Sequence, residues 1–234
     1  MLVKFIDKLF YNGYNNNWDD KIFSETIIDN LNTQSKVLDL GAGAGIIEEM
    51  NFKAKAASVC GIDLDPRVMK NQFLHERKIS SVYDIPYADN YFDVVFCNNV
   101  MEHIEFPELL LREVHRVLKP GGTFLFKTTN KYHYVPLVAK FTPLSFHKFY
   151  NKLRGRDADD TFNTFYKFNN KAKIEEICIE SAMIVKSLNV IEGRPEYMRL
   201  SFFTYLFGLF YERVVNSSLL FENFRVVIYG QLNK

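Results

Sequence analysis

Cysteine is scarce in this chain, and its placement limits the available chemistry. The 234 residues include three cysteines, Cys60, Cys97 and Cys178, which are far apart and each lie within an apolar segment. Disulfide frameworks and zinc sites use cysteines at short, characteristic spacings. The pattern therefore predicts small core residues in a reducing compartment, and no metal site.

The chain also lacks a charge imbalance. Its 29 Lys and Arg against 28 Asp and Glu give 29 − 28 = +1, and no long basic run occurs. A nucleic-acid partner is therefore not suggested. Residues 1–7 carry Lys4 and Asp7 where a signal peptide needs an unbroken apolar core, which favours a cytoplasmic location.

One stretch organises the rest of the sequence. Val37, Leu38 and Leu40 predict a strand buried on both faces, and Gly41, Gly43 and Gly45 follow it directly. Glycines in such a turn adopt backbone angles closed to other residues and let a ligand approach the main chain. With a helix expected to begin at residues 46–50, the pattern predicts a nucleotide-type pocket at the carboxyl end of a parallel strand.

Two kinds of cofactor compete for this pocket. A dinucleotide-binding turn has the form G-x-G-x-x-G, whereas Ile46 stands here where the last glycine would fall. Asp39 at the mouth would repel a pyrophosphate and suits a ligand with an ammonium group and no phosphate. The segment resembles the first motif, V-L-D-x-G-x-G-x-G, of the class I S-adenosylmethionine-dependent methyltransferases.

Three later segments extend that resemblance in order along the chain. Ser58–Asp63 is expected to be the second strand. Its last residue, Asp63, follows the glycines by about 20 residues, the sequence spacing at which an acid binds the ribose of a nucleotide. Residues 83–98 resemble the family's loop and fourth strand, and residues 118–122 its L-K-P-G-G. The resemblance implies S-adenosylmethionine as cofactor and the following binding residues: Asp39, Gly41, Ala42, Gly43, Gly45, Asp63, Leu64, Ser81, Val82 and Asn98.

The adenine contact departs from the family pattern. The family commonly places an acid several residues before the proline that corresponds to Pro86, and this chain has Ser81 there. A serine hydroxyl can still accept a hydrogen bond from the adenine amine, and the Val82 amide can serve the ring. Asp84 is the alternative if the loop is shifted.

Two histidines are candidate general bases for a hydroxyl acceptor. His103 belongs to a Glu-His pair that resembles the one following strand four in small-molecule methyltransferases, and His133 follows strand five. Imidazole titrates near neutral pH, which suits a proton acceptor. His103 could equally be a structural residue at a helix start, and Tyr132 could substitute as base.

These landmarks predict one α/β domain, residues 1–234, with a seven-stranded, mostly parallel, doubly wound sheet. Residues 67–77 are helical in pattern and residues 78–82 are expected to be the third strand. Two insertions, 131–168 and 193–224, are expected to form lids. The last two strands are expected to be the antiparallel end of the sheet, as in the family.

The second insertion contains an apolar stretch, residues 200–211, that is too short and too interrupted to span a bilayer. A second lid layer, a homodimer partner and a membrane surface are the candidates for covering it. The aromatic first lid and this tail loosely resemble methyltransferases of bacterial surface-polysaccharide synthesis.

The sequence thus favours methyl transfer from S-adenosylmethionine to a small-molecule or carrier-linked, possibly glycan-related, acceptor. Oxygen is the expected target atom. A methyltransferase-like binding or scaffold module without turnover is the second hypothesis, and a dinucleotide oxidoreductase is the third. Methylation of nucleic-acid amino groups is disfavoured because Asn98-Asn99-Val100-Met101 does not match the N/D-P-P-Y/F/W motif.

Overall fold

The computed structural model describes residues 2–14, 17–140 and 163–234. Its centre is one seven-stranded sheet with the order β3-β2-β1-β4-β5-β7-β6. The first five strands are parallel to one another, and β7 pairs antiparallel with both β5 and β6. The strands are β1 (Lys36–Leu40), β2 (Ser58–Asp63), β3 (Glu76–Ile79), β4 (Phe92–Asn98), β5 (Leu118–Thr129), β6 (Ile184–Ile191) and β7 (Val227–Asn233).

This sheet confirms the predicted fold class, including the antiparallel end. The described α-helices are α1 (Leu2–Phe10), α2 (Trp18–Ile28), α3 (Pro107–Val117), α4 (Tyr134–Lys140), α5 (Lys171–Glu180) and α6 (Phe202–Asn216). None of them has the length and apolar character needed to cross a membrane.

Two cores cover the faces of the sheet, because alternate residues of each strand point to opposite sides. On one face, Leu38 and Val95 pack with α3 and α5. On the other face, Val37 and Phe96 pack with Phe23 of α2. Asp39 follows the parity of Val37 and therefore lies on the α2 side of β1.

Two helix predictions are wrong. Residues 46–50 contain one short 3₁₀ turn, Glu48–Met50, and residues 67–77 contain another, Pro66–Lys70, followed by β3. The third strand accordingly begins at Glu76, earlier than expected. Short segments permit 3₁₀ turns as readily as α-helix, and apolar spacing alone does not distinguish the two.

The two insertions differ in how much of them the structure describes. The first, 131–168, falls largely on residues 141–162, which lie outside the described residues. The second, 193–224, contains α6 and the 3₁₀ segment Leu219–Phe224. That the insertions act as lids, and that 1–234 is one domain, stay predictions.

Candidate cofactor and catalytic sites

The glycine turn after β1 adopts the left-handed backbone geometry that its glycines predict. Gly41, Gly43 and Gly45 have φ values of 72°, 50° and 72°, a region that disfavours residues with a Cβ. A Cβ on Gly41 would lie 2.5 Å from Val100 Cγ2, whereas a Cβ on Gly43 would meet no heavy atom within 4 Å. Gly43 therefore faces open space, as a residue beside a ligand must.

The side chain of Asn71 stabilises the glycine turn. Its role was not predicted from the sequence. Its buried side chain donates from Nδ2 to the carbonyl oxygen of Ala42 at 2.9 Å. A Cβ on Gly45 would lie 2.2 Å from Asn71 Oδ1. Gly45 is thus required because this amide packs directly against the main chain. Nothing local in the sequence identifies Asn71, since its role depends on a contact across 29 residues.

Asp63 joins the glycine turn to the loop after β2. One carboxylate oxygen accepts from the amide of Gly43 at 2.9 Å and the other accepts from the amide of Asp65 at 2.8 Å. A carboxylate oxygen can accept a second hydrogen bond, so both remain competent to bind ribose hydroxyls. Leu64, the next residue, is exposed and offers an apolar surface beside them.

Asp39 is the most unusual group in the turn. It is buried at the carboxyl half of β1, and none of the described residues donates a hydrogen bond to its carboxylate. Burial, aided by the negative charge of nearby Asp63, raises the pKa of Asp39 to about 8. A cation placed here would compensate the carboxylate, because opposite charge favours the ionised form.

The predicted adenine contacts lie at the neighbouring strand end. The amide of Ser80 donates to the carbonyl oxygen of Asp63 at 3.1 Å, which holds Ser80 beside the end of β2. Ser81 is half-buried and its Oγ accepts from the amide of Tyr83 at 3.2 Å. Val82 packs partly against the core. The geometry is compatible with the predicted roles but does not test them.

Asn98 belongs to a buried polar cluster that connects the sheet to α2. Its Nδ2 donates to Asp20 Oδ1 at 2.8 Å. The fully buried Lys127 on β5 donates to the same oxygen at 2.5 Å and to Asp19 Oδ2 at 2.7 Å. These contacts fix the start of α2 over the carboxyl ends of β4 and β5.

His103 lies in the 3₁₀ turn Met101–His103 that follows β4. Its Nδ1 is 2.7 Å from the carbonyl oxygen of Asn163. Because a carbonyl can only accept, Nδ1 is the donor and the neutral ring carries its basic lone pair on Nε2. Val100, which precedes this turn, accepts from the His103 amide at 2.9 Å, and its side chain lies against Gly41.

His133 lies in a different environment, under α6 at the other half of the sheet. The ring is 1% exposed, and burial lowers its pKa to about 3. Its Nδ1 accepts from the amide of Val135 at 3.4 Å, which leaves the proton on Nε2, 3.5 Å from Glu192 Oε2. Burial raises the pKa of Glu192 to about 8. The structure therefore does not bring the two predicted histidines together.

The residues around the glycine turn can be compared with the chemical groups of S-adenosylmethionine. The turn offers an open main-chain surface at Gly43 and two carboxylate oxygens with remaining acceptor capacity at Asp63. It also offers a buried acid, Asp39, to which none of the described residues donates a hydrogen bond. A pyrophosphate would increase the negative charge already present, whereas a cationic nucleoside would reduce it. The residues fit S-adenosylmethionine.

Comparisons with known proteins agree with this geometry. Residues 38–126 match the family described as "Methyltransferase domain". Over 105 residues the chain is 37% identical to a ubiquinone biosynthesis O-methyltransferase of Thiobacillus denitrificans. The aligned segment covers 41% of this chain and 45% of that protein. The chain spans about half the length, or slightly less, of the curated relatives it matches.

Solved structures share the whole fold. An S-adenosylmethionine-dependent methyltransferase from Mesorhizobium loti superposes with a TM-score of 0.59 at 13% identity, covering 95% of this chain and 99% of that one. Phosphoethanolamine N-methyltransferase 2 of Haemonchus contortus, in complex with S-adenosyl-L-methionine, superposes with a TM-score of 0.57 at 16% identity. The superposition covers 100% of this chain and 60% of that one. At these identities the likeness shows the fold.

The matched segment contains the glycine turn, Asp63 and β4, so family match and site coincide. Residues 38–126 match a methyltransferase domain, and the sheet as a whole has the fold of S-adenosylmethionine-dependent methyltransferases. The weaker resemblance to methyltransferases of surface-polysaccharide synthesis is not supported by these comparisons.

Proposed function

We propose that this protein transfers a methyl group from S-adenosylmethionine to a hydroxyl oxygen of a small or carrier-linked acceptor. The observation that carries the proposal is Asp39, a buried acid without a hydrogen-bond donor among the described residues. It lies beside a glycine turn that is open at Gly43. A ligand with an ammonium group and no phosphate suits this arrangement better than a dinucleotide does.

The residues of the turn would hold the cofactor in complementary ways. Asp63 would accept from the ribose hydroxyls, Leu64 and Val82 would contact the base, and Ser81 would accept from the adenine amine. Asn98 would line the methionine part. Bound S-adenosylmethionine supplies an electrophilic methyl group on a cationic sulfur. The protein's main contribution would be to hold the acceptor in line, since effective molarities of well-oriented partners reach about 10⁵ M or more.

Oxygen as the methylated atom is supported by the names of the relatives. Several of them are ubiquinone biosynthesis O-methyltransferases, at 33–37% identity over about 105–118 residues. The acceptor itself would be bound by parts of the chain outside the shared segment. A cavity of about 420 Å³ lined by Phe106, Lys131 and Tyr166 lies beside the loop that carries His103. Its mixed lining suits a small aromatic or hydroxylated acceptor.

His103 is the better of the two candidate bases. Asn163 fixes its tautomer with the lone pair on Nε2, which is the arrangement a general base needs. His133 is buried, its Nε2 carries the proton in the neutral ring, and its pKa is too low for proton transfer near neutral pH. We therefore assign proton acceptance to His103 and a packing role to His133.

Two further proposals concern the protein as a whole. We retain a single domain over 1–234, because β6 and β7 complete the sheet begun by the matched segment. We also retain the cytoplasm as its location, which agrees with Cys60, Cys97 and Cys178 being buried free thiols.

Calorimetry with S-adenosylhomocysteine and a transfer assay with catechol as probe acceptor test the proposal together. We expect saturable binding and release of S-adenosylhomocysteine from S-adenosylmethionine that depends on catechol. Binding without transfer to catechol or to a panel of phenols and hydroxy acids would favour the scaffold hypothesis. No binding of S-adenosylhomocysteine, with NADH bound instead, would favour the oxidoreductase.

A further inference from the structure

Helix α6 exposes its most apolar side chains and buries its more polar ones. The buried positions are Tyr205, Gly208, Glu212 and Val215. The opposite face carries phenylalanines at positions 203, 207 and 210, which are 80%, 61% and 67% exposed. In a helix covered by its own protein the apolar face is normally the inner one.

The orientation of α6 is fixed by specific contacts. Glu212 accepts a hydrogen bond from Tyr11 Oη at 3.1 Å, and Asn216 donates to Glu212 at 2.8 Å. A Cβ on Gly208 would lie 2.8 Å from Met198 Cβ, so that side of the helix packs closely on the loop before it. Rotating the phenylalanines inward would break these contacts.

Two neighbouring elements extend the exposed apolar face. Helix α1 packs beside α6, where Tyr205 Oη donates to Asp7 Oδ1 at 2.5 Å, and its own outer side carries Leu2, Phe5 and Leu9. The 3₁₀ segment Leu219–Phe224 packs on α6 at the other end and exposes Leu219 and Leu220. We call the outer sides of these three elements the apolar face.

The charges on this face are of one sign. Among the described residues of α1, α6 and the 3₁₀ segment, the exposed charged side chains are Lys4, Lys8 and Arg213, all basic. Arg213 also lies 3.5 Å from the carboxylate of the buried Glu212. Asp7 is paired with Arg199, Glu212 is buried, and Glu222 is paired with Lys171. Exposed phenylalanine and leucine with basic residues at the margin are the composition of interfacial helices that bind anionic lipid.

We propose that the apolar face docks the protein on the surface of an anionic phospholipid bilayer. The phenylalanines and leucines would enter the headgroup region, and the three basic side chains would meet lipid phosphates. A second copy of this chain is less suitable, because a two-fold contact uses the same face twice and would oppose basic residues without exposed acids.

Vesicle co-sedimentation of the full chain tests the proposal, and it requires neither cofactor nor acceptor. We expect binding to phosphatidylcholine vesicles that contain phosphatidylglycerol, and much weaker binding to phosphatidylcholine alone. The double variant Phe203→Ser/Phe210→Ser should bind at least about tenfold more weakly. Lys4→Glu and Lys8→Glu should each weaken binding about fivefold, and added salt should reduce binding by wild type.

A matched control is Ile179→Ser, which removes an equally exposed apolar side chain from α5, outside the apolar face. It should bind vesicles like wild type. The proposal is overturned if wild type does not bind the anionic vesicles, or if Ile179→Ser loses binding as the double variant does. It is also overturned if light scattering shows a dimer that Phe203→Ser/Phe210→Ser dissociates, since the face would then be a protein interface.

Discussion

Two buried carboxyl groups, at opposite halves of the sheet, have pKa values raised mainly by burial but lie in different surroundings. Asp39 on β1 faces Asp63 and an open glycine turn, and its pKa is about 8. Glu192, which follows β6, is enclosed with His133 under α6, and its pKa is also about 8. Glu192 is enclosed by the protein, whereas Asp39 lies beside the open glycine turn, where a cationic ligand would ionise it. Asp39 therefore belongs to a candidate binding site, and Glu192 belongs to the packed interior under α6.

The largest expected effect falls on the glycine-turn region. Asp63→Ala removes the acceptor for the amides of Gly43 and Asp65 and for the ribose, so affinity for S-adenosylhomocysteine should fall roughly 1000-fold. Calorimetry measures it. The control Asp65→Asn changes a half-buried neighbouring acid and keeps its main-chain amide, so affinity should stay within about threefold. Equal losses in both variants would remove the special role of Asp63.

The two histidines give the second contrast. His103→Ala should lower kcat for methylation of a phenolic acceptor by about 100-fold, because the proton acceptor is lost. His133→Ala should leave kcat nearly unchanged and lower the free energy of unfolding by about 2–4 kcal/mol, because a buried ring is replaced by a cavity. Kinetics and urea denaturation of both variants separate these outcomes. A reversed result would move the active centre under α6.

The smallest expected effect is the contribution of Glu192 to the pH dependence of the free energy of unfolding. Its pKa is raised from 4.5 in the unfolded chain to about 8, so the folded state holds a proton that the unfolded state has released. The associated stability is full below about pH 4.5 and is lost as the pH rises through about 8. Glu192→Gln should remove most of this pH dependence over that range. A curve unchanged by the substitution would show that Glu192 titrates normally.

Much of the fold and part of the site followed from sequence. The apolar run of β1, the alternating glycines and the acid of β2 are local signals, so the glycine turn and the succession of strands along the chain to β5 could be predicted. Residues 46–50 and 67–77 could not be assigned correctly, since short segments lack enough turns to show a period. Asn71 and Lys127 act through contacts 29 and about 107 residues away, which no local pattern records.

The central claim is that Asp39 binds the ammonium group of the cofactor. The number of protons released on binding tests this claim directly. At about pH 7 the free protein should hold a proton on Asp39, and the ammonium group of S-adenosylhomocysteine should lower its pKa and release that proton. Calorimetry in buffers of different ionisation enthalpy should show up to about one proton released by wild type and by Glu192→Gln, and none by Asp39→Asn. Release unchanged in Asp39→Asn, or absent in wild type that binds, would contradict the account.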